Sequence, residues 1–227
     1  MSRHIVAMGG GGFSGDDAVL DRYVLDLVSK ERPKVAFLGT ASGDAVTYEA
    51  AFYEAFVKYG CEPRAIRLFG RDIEDLAGTL LEQDIVYVGG GNTANMLAVW
   101  RLHGVDEALR QAWESGVVLA GVSAGANCWF EASTTDSFLV GTAKPLNDGL
   151  GLVPGSFCPH YDSEPERRPR FLDLVGSGQL PAGYACDDFA ALHIADDEIT
   201  AIASQPDAGA HRVEVTGETP LDVQYLG

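Results

Sequence analysis

The sequence predicts an α/β fold, a doubly wound and mostly parallel sheet with helices on both faces and a β-rich C-terminal extension. Two observations predict it. In the first part of the chain, short runs that are apolar on both faces alternate with longer segments of helical period. After Ser123 the helical patterning weakens and short β-like runs take over.

The strands come first. Ile5 to Met8, Val35 to Leu38, Ile85 to Val88 and Val117 to Val122 are uninterrupted apolar runs, as expected of strands covered on both sides, and Arg64 to Leu68 is read as another. Between them lie three amphipathic stripes: Val19, Leu20, Tyr23, Val24, Leu27 and Val28; Tyr48, Phe52, Ala55, Phe56 and Tyr59; and Val105, Ala108, Leu109, Ala112 and Trp113. Such alternation implies right-handed β-α-β crossovers. In the last third, Ala191 to Ile194, Ile199 to Ile202 and Arg212 to Val215 read as strands. Thr216-Gly217-Glu218 reads as a hairpin turn between Val213–Val215 and Leu221–Tyr225. No repeat or linker interrupts the chain, so residues 1–227 are read as one domain.

The 16 basic and 33 acidic residues give a net charge of −17, spread along the chain. Such a surface repels phosphate backbones and anionic bilayers, which argues against nucleic-acid and membrane partners. The apolar run Ile5 to Met8 is far too short for a signal-peptide core or a membrane span. Cys61, Cys128, Cys158 and Cys186 form no C-x-x-C pair and read as reduced thiols of a cytoplasmic protein.

The chemistry concentrates at Gly121-Val122-Ser123-Ala124-Gly125, which fits G-x-S-x-G with a buried strand before it and a helix after it. A tight strand-to-helix turn projects the serine Oγ from the sheet edge. Side chains at the flanking glycines would clash, and the helix start offers N–H groups to an oxyanion. The loop Val88-Gly89-Gly90-Gly91-Asn92-Thr93 closes another buried strand at the same carboxyl edge, where open α/β sheets bind ligands. Its glycine amides are candidates for the other half of an oxyanion hole. Asn92 is a candidate substrate contact, or with Thr93 a helix cap.

Among the five histidines, His160 in Phe157-Cys-Pro-His-Tyr-Asp162 ends a short apolar run and turns into a polar loop, the placement expected of a base for Ser123. His193 lies in an apolar run and reads as a core histidine. A carboxylate should hold the imidazole. Asp136 is the first choice, and Glu131, Asp162, Glu164 and Glu166 remain open.

These stretches together resemble the serine peptidase family of peptidase E, the aspartyl dipeptidase, which also includes cyanophycinases. The matching pieces are Gly89 to Thr93, the elbow at Ser123, Thr135-Asp136 and Pro159-His160, within roughly residues 4 to 200. The resemblance implies a fold related to class I glutamine amidotransferases, with serine in place of their cysteine. It implies Ser123 as nucleophile, His160 as base, Asp136 at the position of the triad acid, and Gly91 and Ala124 as oxyanion-hole amides. The implied substrate is a short peptide with amino-terminal aspartate, and no metal or other cofactor is implied. The family's loop after the histidine is longer and carries a basic residue for that aspartate. Here the loop offers Arg167, Arg168 and Arg170, suited to a carboxylate or to balancing nearby acids.

Competing readings are weaker. Gly10 to Gly15 fits G-x-G-x-x-G, but the next strand ends Leu38-Gly39-Thr40-Ala41, without the acid a dinucleotide site needs. His160, Asp162, Glu164 and Glu166 lack the second histidine of a metal site. A cyanophycinase-like or broader exopeptidase, or a catalytically silent protein binding a small carboxylate, are the alternatives. A homo-oligomer is compatible with the sequence.

Overall fold

A computed structural model describes residues 2–15, 17–71 and 73–227, Ser14 by its backbone alone. The chain opens with β1 (His4–Met8), then α1 (Ala18–Asp26), β2 (Lys34–Leu38), α2 (Val46–Lys58) and β3 (Glu62–Ile66). Next come α3 (Leu76–Leu81), β4 (Ile85–Val88), α4 (Thr93–His103), α5 (Val105–Glu114) and β5 (Val118–Val122). Strands β1, β5, β4, β2 and β3 lie side by side in that order, all parallel. Every residue of β4 is buried, which explains its unbroken apolar sequence.

The two faces of this sheet make two cores. On one, Val6, Met8, Phe37 and Tyr87 meet Leu20 and Val24 of α1 and Phe52 and Phe56 of α2. On the other, Ile5, Leu38, Val88 and Leu119 meet Leu80 of α3, Trp100 of α4 and Leu109 of α5.

After β5 the one-turn helix α6 (Ala124–Asn127) leads into β6 (Phe130–Thr135), β7 (Lys144–Leu146) and β8 (Val153–Cys158). Helix α7 (Arg167–Gly176) and β9 (Gly183–Cys186) follow, then β10 (Ala190–Ala195), β11 (Glu198–Ala203), β12 (Ala210–Glu214), β13 (Gly217–Pro220) and β14 (Val223–Tyr225). The β-rich part is more than an extension. It builds a second sheet of order β13-β12-β9-β8-β6-β7, while β10, β11 and β14 extend the first sheet beyond β1. Phe130 and Phe157 of the second sheet stack 4.8 Å apart within the core that holds Trp100 and Leu109. Its other face carries Cys158, Ala185 and Val213 against Phe171 and Leu174 of α7.

Two details differ from the sequence expectation. The third strand runs Glu62–Ile66, two residues earlier than Arg64 to Leu68. The terminal hairpin turns at Val215-Thr216, since Glu214 already pairs with Gly217. The last strand then leaves that ladder and pairs in parallel with β11. Pro220, which has no N–H to carry a ladder onward, ends β13.

Candidate active site

Ser123 follows β5 directly, with φ 57° and ψ −111°. A non-glycine residue in that region costs on the order of 1–3 kcal/mol and persists only where its surroundings hold it. Here they do: Ser123 N–H donates to Met8 O at 3.1 Å, and Ser123 O accepts from Ala126 N and Asn127 N at 3.0 and 2.9 Å. Both motif glycines are needed for room. A Cβ on Gly121 would stand 2.5 Å from the carbonyl carbon of Gly125, and one on Gly125 would stand 2.7 Å from that of Val88. The turn is thus pressed against the end of β4.

The loop after β4 lies alongside. A Cβ on Gly90 would stand 3.4 Å from Ser123 Cβ. Gly89 N donates to Leu38 O (3.1 Å), Gly90 N to the Tyr48 hydroxyl (3.2 Å) and Asn92 N to Ala41 O (2.8 Å). Gly91 has φ +136°, and a side chain there would run into the Ala41 carbonyl. Asn92 is occupied at both ends of its amide. Its Oδ1 accepts from Asn95 N at the start of α4, and its Nδ2 donates to Ser137 O, each at 2.9 Å. The cap reading of Asn92 therefore describes its contacts, and the amide also latches residues 135–137 against α4.

His160 lies two residues beyond β8, with φ +53°. Its Nδ1 is 2.6 Å from Oδ1 of Asp188, which lies two residues beyond β9. Strands β8 and β9 are parallel neighbours, so both side chains leave at the same sheet edge. Their loops are stitched together: Tyr161 N donates to Cys186 O at 3.1 Å, and Asp188 N to Asp162 Oδ1 at 2.9 Å. The hydrogen bond from His160, helped by one from Ser163, holds the Asp188 carboxyl below the usual range against the opposing effect of burial.

Gly10 ties the two halves of the site. Met8 is level with Val122 across the parallel β1–β5 pair, and Met8 O holds the amide of Ser123. Two residues on, Gly10 is so close to the imidazole–carboxylate pair that a Cβ would stand 2.7 Å from Asp188 Cγ and 3.1 Å from His160 Nδ1. Ser123 and the His160–Asp188 pair therefore both border the short segment Met8–Gly10 at the carboxyl edge of the sheet.

The acid that touches His160 is thus Asp188, and Asp136 is engaged elsewhere. Asp136 Oδ1 lies 3.6 Å from Arg167 Nη2, and its Oδ2 accepts from Gly141 N at 3.4 Å. Glu131 accepts from Gly155 N at 2.8 Å, near the start of β8. Glu164 pairs with Arg167 Nε at 2.5 Å, and Glu166 sits at the start of α7. Asp162 reaches the pair only through the amide of Asp188. The sequence does carry a signal for Asp188, an acidic pair directly after the buried strand Gly183–Cys186.

All three candidate arginines have partners. Arg167, its side chain only 5% exposed, is held by Glu164, Asp136 and Thr134 O. Arg168 lies over the Tyr161 ring at 5.4 Å and pairs with Glu218, which also accepts from the Tyr161 hydroxyl. Arg170 pairs with Asp173 at 2.5 Å and donates to Ala143 O at 3.3 Å. Among the described residues no group of His, Cys, Asp or Glu is arranged to hold a metal ion. A cavity of about 740 Å³ lies at the opposite end of these strands, lined among others by Arg3, Trp113, Val153, Tyr184 and Arg212.

Comparison with known proteins shows the family of the chain. The sequence profile of peptidase family S51 matches residues 5–202. The chain belongs to peptidase family S51.

As an S51 member it is a peptidase of the peptidase E type. It is 47% identical over 234 residues to the uncharacterized peptidase YgaJ of Bacillus subtilis strain 168, across 99% of this chain and 100% of that protein. It is 33% identical over 170 residues to peptidase E of Streptomyces coelicolor, covering 70% of this chain and 68% of that one. The fold matches the crystal structure of a peptidase from an acI-B1 Actinobacterium with a TM-score of 0.74, at 17% identity, over 98% of this chain and 95% of that one. Within the described residues of this S51 chain, no helix is long and apolar enough to cross a membrane.

Proposed function

We propose that this S51 chain is a serine-type exopeptidase that hydrolyses short peptides with amino-terminal aspartate, using Ser123, His160 and Asp188. The observation that carries the reading is the convergence on Met8–Gly10 of a strained serine elbow and a histidine already paired with a carboxylate. Asp188 accepts from Nδ1–H, which fixes the tautomer and leaves Nε2 as the basic atom.

His160 takes the Ser123 proton as Oγ attacks the peptide carbonyl. The oxyanion rests on the Ala124 and Gly91 amides. The amides flanking Gly91, those of Gly90 and Asn92, are bound to Tyr48 and Ala41, which supports Gly91 as the donor. His160 then protonates the leaving amine, and water, deprotonated by the same imidazole, hydrolyses the acyl-enzyme. Arg168 and Arg170, on the exposed first turn of α7, are the candidates for the substrate aspartate, each having to exchange a protein carboxylate for it.

That exchange favours a second reading, an S51 exopeptidase of broader or cyanophycinase-like preference, because every candidate arginine already has a partner. Hydrolysis of Asp-Leu, Glu-Leu and Ala-Leu by wild type and Ser123→Ala separates the two. Cleavage of Asp-Leu alone, lost in the variant, supports the first reading. Comparable cleavage of all three, also lost, supports the second. If none is cleaved and a fluorophosphonate fails to label Ser123, the serine-peptidase reading falls and a binding role for the same crevice takes its place.

A further inference from the structure

The loop between β6 and β7 exposes three consecutive apolar side chains, Phe138 at 56%, Leu139 at 57% and Val140 at 91%. The other large exposed apolar side chains among the described residues are isolated along the sequence. A run of this kind costs solubility and is expected only where something binds it.

The tip is built rather than loose. Leu139 N donates to Asp136 O at 3.1 Å, Thr142 N to Leu139 O at 3.0 Å, and Gly141 N to the Asp136 carboxylate at 3.4 Å. It is also anchored on two sides of the proposed active site. On the nucleophile side, Ser137 O accepts from Asn92 and Ser137 Oγ accepts from Ala94 N at 3.2 Å, next to the glycine loop that flanks Ser123. On the histidine side, Asp136 lies 3.6 Å from Arg167, which begins α7 at the end of the loop that carries His160. A histidine that protonates the leaving amine has the leaving residue on its own side of the scissile bond.

From this placement we infer that Phe138, Leu139 and Val140 form an apolar wall for the side chain of the leaving residue, making this chain selective for short peptides whose second residue is Leu or Phe. The inference rests on the serine-peptidase reading above. Contact with the tip removes apolar surface of that side chain from water, while a serine in the same place gains nothing.

The test compares kcat/KM for X-Leu and X-Ser, where X is an amino-terminal residue that the wild type accepts. It does so in the wild type and in Phe138→Ser/Leu139→Ser/Val140→Ser. The wild type should prefer X-Leu by about tenfold or more. In the variant the preference should fall to about twofold or less, through loss on X-Leu with X-Ser spared. Fluorophosphonate labelling of Ser123 at an unchanged rate would certify that the variant is folded with its nucleophile intact. An unchanged preference, or an equal loss on both substrates, overturns the inference while leaving the serine-peptidase reading standing. A wild-type dimer that the triple change splits, with preference unaltered, would assign the tip to a second copy of the chain instead. Absence of both turnover and labelling in the wild type overturns the underlying reading and this inference with it.

Discussion

Gly10 and Asp188 are packed so closely that the missing side chain of one is the space occupied by the carboxylate of the other, with the His160 ring 3.1 Å from the same point. Gly10 and Asp188 also form a parallel β-bridge, and Phe189 N donates to Gly10 O at 3.2 Å, so neither backbone is free to retreat. Gly10→Ala should therefore push Asp188 off His160. A misplacement of about 1 Å is expected to cost on the order of 100-fold in kcat/KM. The overpacking should lower stability by about 1–3 kcal/mol. Steady-state kinetics with a urea titration would check both, and an active Gly10→Ala would mean that the pair is not needed.

Asp188 and Asp136 make opposite predictions. Asp188→Asn should present the wrong partner to Nδ1 and lower kcat by about 10⁴. Asp136→Asn should change it less than about tenfold, because Arg167 keeps Glu164 and Thr134 O. The reverse ranking would restore Asp136 as the triad acid. As the Asp188 carboxyl is held below its usual range, its pairing contributes stability in full above the unfolded value of 3.8. That contribution is lost only as pH falls through the depressed folded value. The stability difference between wild type and Asp188→Asn should accordingly stay flat from pH 5 upward as far as Asp188 decides it.

The parallel half of the sheet was legible because strands buried on both faces have no polar positions to confuse the period; β4, Ile85–Val88, is a pure example. The elbow was legible because sterics dictate Gly121 and Gly125 around Ser123. The second sheet was legible only at its end, where Arg212 to Val215 falls on β12 and its hairpin. Its earlier strands carry polar residues that are buried all the same, such as Ser133, Thr134, Thr135 and Ser156, and glycine and proline in Val153–Cys158. Asp188 escaped for a related reason. Its partnership with His160 depends on β8 and β9 being neighbours, a pairing between residues 27 apart, as in Ser156 with Gly183, that no local pattern announces. The arginines after His160 looked available in sequence, yet each finds an acid only once α7 and β13 are in place.

The backbone of Ser123 offers a test of stored strain. At φ 57° and ψ −111° a Cβ is costly, whereas glycine adopts such angles readily. Ser123→Gly should abolish turnover while raising stability by about 1 kcal/mol, equivalent to roughly 2–4 °C in Tm for a chain of this size. Ser123→Ala keeps the Cβ and should give no such gain. Calorimetry of the two variants beside wild type decides, and equal Tm values for both would show that the elbow is unstrained.

Asp21 is the buried acid that the proposed chemistry does not use. It is fully buried beside Gly12, where a Cβ would stand 3.1 Å from Asp21 Oδ1, and it accepts from the Tyr87 hydroxyl at 3.1 Å and the Tyr59 hydroxyl at 3.5 Å. Burial, reinforced by nearby Asp17, pushes its pKa from 3.8 up to about 7 despite those hydrogen bonds. The folded value lies above the unfolded one, so between these two pH values the native state holds a proton that the unfolded chain has released. This group therefore makes stability fall as pH rises from about 4 to about 7, with no further change above. Asp21→Asn cannot titrate and keeps an acceptor for the tyrosines. Relative to wild type it should gain stability across that window, by a few kcal/mol in order of magnitude at pH 8. Urea midpoints of both proteins at pH 5 and pH 8 measure it. A difference that does not grow with pH would mean that Asp21 is ionised in the folded protein already at pH 5.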